Sequence, residues 1–114
     1  MKISKSIFFI ILPFIGFGQM KNQADSIKQA FMIYNAGIDN YFINQFDSAI
    51  EKFSMAIELY PEFADAYNNR GVSKKREGDY FGALEDYKKS IELDPSLAIV
   101  YNNKASCEGV MEDY

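Results

Sequence analysis

Pro61 and Pro95 stand 34 residues apart, and the chain aligns with itself at that offset without a gap. A fixed period near this length confines a chain to stacked repeats, because each unit is one supersecondary element that cannot bury its apolar face alone. The first unit runs from Ala30 to Phe63 and the second from Ala64 to Leu97; a third starts at Ala98 and is half complete at Tyr114. Identities recur at Asn35/Asn69, Gly37/Gly71, Ala49/Ala83, Glu51/Glu85, Ile57/Ile91, Glu58/Glu92 and Leu59/Leu93. The third unit repeats Tyr67-Asn68-Asn69 as Tyr101-Asn102-Asn103, and Asp79-Tyr80 as Asp113-Tyr114.

Within each unit the apolar residues fall three or four apart, which is the period of an amphipathic helix. Helices are expected near 30–43, 46–59, 64–77, 80–93 and 98–112, with Ala49, Ile50, Phe53, Ile57 and their echo Ala83, Leu84, Tyr87, Ile91 facing inward. Each proline ends the second helix of its pair, since the residue before proline is pushed out of helical geometry. Asp79 is placed to cap the helix that follows Gly78, accepting from backbone donors that the first turn leaves unpaired. Gly37, Gly71 and Ala105 sit inside helices, where glycine costs about 1 kcal/mol relative to alanine. That cost implies close approach of two helix axes, against Ala49 and Ala83.

The two complete units resemble the tetratricopeptide repeat. Its pattern of large, small, Ala, aromatic, small and Pro is met by Ile33, Gly37, Ala49, Phe53, Ala56 and Pro61, then by Tyr67, Gly71, Ala83, Tyr87, Ser90 and Pro95. The resemblance covers residues 30–114 and implies an all-α solenoid of helix-turn-helix repeats, two full and one half. It departs where the family usually has leucine, at Ala36, Arg70 and Lys104, and where it usually has tyrosine, at Asn40, Lys74 and Glu108.

The same resemblance implies that the first helices of successive units line a concave surface used to grip polypeptides. Carried over to this chain, the inward positions of the second unit are Asp65, Asn68, Asn69, Val72, Lys75 and Arg76. Asn35, Asn69 and Asn103 share one position and form a row of amides able to donate to and accept from an extended main chain, with Asn102 beside it. Phe31, Tyr34, Ile38 and Phe42 form an apolar groove on the first helix; residues folding back from 19–29, or a second molecule, are alternative covers for it, whereas a cap at Asp25 or Ser26 would start the helix earlier and make that segment a simple extension. Lys74, Lys75 and Arg76 either complement the end of their helix or, through Lys75 and Arg76, recognise a carboxylate. The family's peptide-carboxylate clamp is not reproduced.

Ahead of the repeats, Lys2 and Lys5 precede an apolar run from Ile7 to Phe17 that closes on Gly16-Phe17-Gly18-Gln19. Charged, apolar and small-residue regions in that order read as an export signal, with cleavage after Gly18. Its ending resembles signal peptides of the Bacteroidetes. The run is shorter than the roughly 20 residues that span a bilayer and is broken by Pro13, so no stable membrane insertion is expected after cleavage. Residues 1–18 are thus a leader, 19–29 an N-terminal extension, and the expected location is periplasmic or secreted.

Histidine is absent and Cys107 is the only cysteine, which removes His-based acid/base chemistry, Cys-His nucleophiles and Cys/His zinc sites within one chain. Cys107 reads as a small buried side chain. Glu51/Glu85 and Glu58/Glu92 recur with the fold and are expected to face solvent. No phosphate loop, metal spacing or nucleophile elbow is present, so no enzyme activity, metal or cofactor is expected. Loss of Lys2 and Lys5 with the leader moves the net charge from -4 to -6, a poor balance for nucleic acid. The expected function is non-catalytic scaffolding of a protein or peptide partner. The alternatives are a repeat module of a longer enzyme or signalling receptor, and self-assembly through the apolar last helix, whose Ile99, Val100, Val110 and Met111 are expected to lack cover.

Overall fold

The computed structural model describes residues 2–113, with side chains from Gly18 onward. Five helices follow one another: α1 (Lys2–Phe42), α2 (Phe46–Leu59), α3 (Ala64–Arg76), α4 (Tyr80–Leu93) and α5 (Ala98–Glu112). Among the described residues there is no strand. Consecutive helices pack against each other, and α1, α3 and α5 also touch in sequence along one side. The expected helix limits hold closely for α2 to α5. The first helix is longer than expected: residues 19–29, which contain no glycine or proline, extend it instead of folding back over its groove, and it also runs on through Pro13, which does not break it. The leader assigned to residues 1–18 lies, apart from Gly18, outside the residues whose side chains are described. No helix among the described residues is long and apolar enough to cross a membrane.

The helix ends show why the period is so regular. Tyr60 and Asp94, each directly before a proline, are extended at φ -140° and -145°, and α2 and α4 stop there. The turns inside the two full units are equivalent as well. Asn44 and Gly78 both adopt a left-handed conformation, at φ 61° and 87°, which asparagine and glycine tolerate best. The next residue donates its backbone N–H back to a carbonyl five residues earlier, Gln45 to Asn40 and Asp79 to Lys74, each at 2.9 Å. Asp79 then caps α4 as expected, accepting from the Gly82 N–H at 2.9 Å.

Two buried clusters hold the stack together. Ala30, Ala56, Ile57, Phe63 and Ala66 join the first unit to α3, and Ala83, Tyr87, Val100 and Cys107 join the second unit to α5. The inward stripes contain Ala49, Phe53 and Ile57, then Ala83 and Tyr87, as the periodicity implies; Ile50, Leu84 and Ile91 are only half-buried. Cys107 is fully buried and its thiol donates to the Tyr80 carbonyl at 3.3 Å. Burial holds that thiol above its ordinary pKa.

Three expectations need correction. A Cβ on Gly37 would lie 2.8 Å from the Phe53 ring and one on Gly71 2.8 Å from the Tyr87 ring, so the aromatic residue is what presses closest. Ala83 contributes at Gly71 through its carbonyl at 3.1 Å, whereas Ala49 is not among the nearest neighbours of Gly37. Ala105, the third member of that series, is exposed because no described helix lies over it. On α5, Val100 is fully buried and Met111 packs on the second cluster, so both face inward rather than lacking cover; Ile99 remains exposed.

Candidate functional site

Helices α1, α3 and α5 lie side by side, and hydrogen bonds stitch their common face. Asn69 donates from its amide to the Tyr34 hydroxyl at 2.7 Å, and Asn103 donates to the Asn68 side-chain oxygen at 3.0 Å. The two bonds are equivalent, each reaching 35 positions back to the helix before. Farther along, Arg76 donates to the Tyr41 hydroxyl at 3.3 Å, and Lys75 donates to Ser106 at 2.7 Å.

Asn69 and Asn103 thus occupy equivalent places on successive helices, and the asparagines of the three units differ in freedom. Asn35 and Asn102 are exposed, Asn69 and Asn103 are half-buried, and Asn68 is buried at 7% exposure. Each bonded amide still holds a second N–H and an oxygen with open lone pairs, which is the chemistry an extended peptide requires. Val72 is half-buried against the second cluster.

The basic run is occupied internally. Lys74 pairs with Asp86 at 3.0 Å. The Arg76 guanidinium lies 4.6 Å from the Phe46 ring centre and 5.8 Å from that of Tyr41, so cation–π contact holds it at the α1–α2 turn. Lys75 and Arg76 lie at this end of the face, and each already has a partner.

Of the apolar groove residues, Phe31 and Tyr34 stack on Phe63, at ring separations of 4.6 and 4.8 Å. Burial raises the Tyr34 hydroxyl above its usual pKa, with Asp65 adding to the effect, so it stays protonated as the acceptor for Asn69. Ile38 is half-buried, while Phe42 is 76% exposed beside Tyr41. Glu51, Glu58, Glu85 and Glu92 all face solvent, as expected.

Sequence reasoning missed Asp86. It is buried inside α4, and Arg70 holds it through two bonds of 2.9 and 2.7 Å while Lys74 adds a third contact. This accounts for the two departures from the repeat pattern in the second unit: the cations occupying the leucine and tyrosine places share one buried carboxylate. The available signal was the position of Asp86, three residues after Ala83 and beside Tyr87 on the inward side of the helical period, which its neighbour Glu85 does not share. In α5 the corresponding residues, Lys104 and Glu108, pair with each other at 2.6 Å.

Helix pairs, equivalent turns and a common face of first helices define an α-solenoid of tetratricopeptide type. Residues 64–97 match the family model described as Tetratricopeptide repeat. A similar solved structure is that of MamA, at 28% identity and a TM-score of 0.71, covering 73% of this chain and 48% of that one. This chain thus spans about half the length of MamA. The first TPR of Spaghetti (RPAP3), solved bound to the HSP90 peptide SRMEEVD, is similar in fold at 19% identity and a TM-score of 0.71, over 73% of this chain and 66% of that one. The TPR2B domain of yeast Sti1, solved as a complex with pHsp70, shares 24% identity at a TM-score of 0.69, over 78% and 69% of the two chains. No curated protein matches the chain.

Proposed function

We propose that this chain is an exported, non-catalytic scaffold that holds a peptide or partner protein on the face formed by α1, α3 and α5. The observation that carries the reading is the pair of equivalent bonds Asn69–Tyr34 and Asn103–Asn68. They align the amides along the stack with their remaining donors and acceptors unused. Two of the neighbouring folds were solved with peptide or partner bound. Export rests on the order of charge, apolar run and small residues in positions 1–18.

A photo-crosslinking amino acid at position 102, on the exposed part of this face, tests the reading in cells against the same group at position 85 on α4. The expected result is a discrete adduct from 102 that is weak or absent from 85. Equal adducts from both positions, or none from 102, would refute it. Mass analysis of the mature N-terminus tests export separately, with Gln19 as the expected first residue.

A further inference from the structure

At the edge of the stack where α2 and α4 end and α3 begins, a cleft of about 520 Å³ opens between aromatic and acidic walls. Phe31, Tyr60 and Phe63 supply rings, with Phe31 46% exposed. Glu62, Asp65, Glu92 and Asp94 supply carboxylates, and no lysine or arginine lines the space.

Two of these carboxylates are placed against the electrostatic grain of the fold. The last turn of a helix carries partial negative charge and favours cations, yet neither α2 nor α4 has a basic residue in its last turn. Instead α4 closes on Glu92 and Asp94. The nearest compensation is Lys89, 3.5 Å from Glu92 between two well-exposed side chains, a pairing worth little in water. Asp94 is tied to Ser96 by two hydrogen bonds, of 3.0 and 2.6 Å, which hold its carboxyl below the ordinary aspartate pKa. Negative charge is thus concentrated in a walled cleft whose ring faces themselves attract cations.

The geometry points to a binding site for the cationic side chain of a partner polypeptide, a lysine or arginine entering this cleft. The aliphatic stem lies on the exposed Phe31 and the half-buried Tyr60, with buried Phe63 behind them, and the charged head meets Asp65 and Glu92. The volume accommodates one or two such residues. The site adjoins the row of amides, since Asp65 precedes Asn68 and Asn69 by one turn of α3, but it rests on different side chains.

The test uses the full chain with two defined probes, acetylated tetra-lysine amide and acetylated tetra-glutamate amide, followed by amide NMR shifts at low salt. Tetra-lysine is expected to give saturable shifts centred on Phe31, Tyr60, Phe63 and Asp65, and tetra-glutamate none. Asp65→Asn with Glu92→Gln is expected to weaken binding about tenfold, and Phe31→Leu, which keeps apolar bulk but removes the ring, about threefold. Glu51→Gln with Glu85→Gln removes the same charge elsewhere and is expected to change affinity less than about twofold. Equal loss in both double variants would reduce the effect to net charge and overturn the site. So would an unchanged affinity in Phe31→Leu, or shifts centred on Val72 and Asn103; neither result bears on the crosslink from position 102.

Discussion

The guanidinium of Arg70 grips Asp86 from across the α3–α4 interface, its Nε and Nη2 meeting the two carboxylate oxygens at 2.9 and 2.7 Å. The Asp86 side chain is 5% exposed, against 19% for Arg70 and 22% for Lys74. Removing the acid leaves two partly buried cations facing each other without compensation. Asp86→Ala is expected to destabilise the fold by about 2–4 kcal/mol, because breaking a buried pair costs more than forming it contributes. Arg70→Leu, Lys74→Tyr and Asp86→Ala combined is expected to recover most of that loss, since an apolar cluster needs no desolvated charge. Urea unfolding of the two variants and the parent checks both values.

Glycine at two helix positions separates close packing from propensity. A methyl at Gly71 would lie 2.8 Å from the Tyr87 ring, and Tyr87 is fully buried with no room to retreat. Overpacking of this kind costs about 1–3 kcal/mol and outweighs the roughly 1 kcal/mol that alanine gains in helix propensity. Gly71→Ala is therefore expected to lower the thermal midpoint. At Gly109 nothing lies within 4 Å of such a methyl, so Gly109→Ala is expected to raise it.

The period made much of this architecture legible before any coordinates. Proline at Pro61 and Pro95 and glycine at Gly78 act through their own backbone limits, so their consequences can be read one residue at a time. The aromatic neighbours of Gly37 and Gly71 and the covered side of Val100 depend on how one helix rolls against another, which no local pattern records. Asp86 was hidden for a related reason. Its partners lie 16 and 12 residues earlier, and a charge within an apolar stripe has meaning only once its counter-ions are placed. Likewise, the amides of Asn69 and Asn103 were readable as a row, whereas their bonds to Tyr34 and Asn68 emerged only from the stacking of α1, α3 and α5.

Those bonds give the asparagines a structural role that can be measured apart from any ligand. Asn103→Ala strips the donor from Asn68, whose side chain is 7% exposed, and is expected to cost about 1–3 kcal/mol. Asn69→Ala leaves the half-buried Tyr34 hydroxyl free to rotate toward water and is expected to cost about 0.5–1.5 kcal/mol. A larger loss at Asn69 than at Asn103 in chemical unfolding would contradict this ranking.

Alkaline pH should loosen the stack in a way that exposes its buried protons. Burial raises the Cys107 thiol above its ordinary value of 9.0 and the Tyr34 and Tyr87 hydroxyls above 10.0. In the unfolded chain these groups lose protons at their ordinary values, while the folded chain keeps them bound. Stability falls with rising pH wherever the native state holds more protons, so the contribution is intact below the ordinary thiol value and is lost progressively above it. The urea midpoint is expected to vary little from these three groups at neutral pH and to drop from about pH 9 upward, the onset of ordinary thiol ionisation. Cys107→Ala shifts that onset to the higher pH at which tyrosines ionise, while lowering the neutral-pH midpoint through lost packing around a fully buried side chain. An unchanged onset in Cys107→Ala would show that the thiol is not the group being titrated.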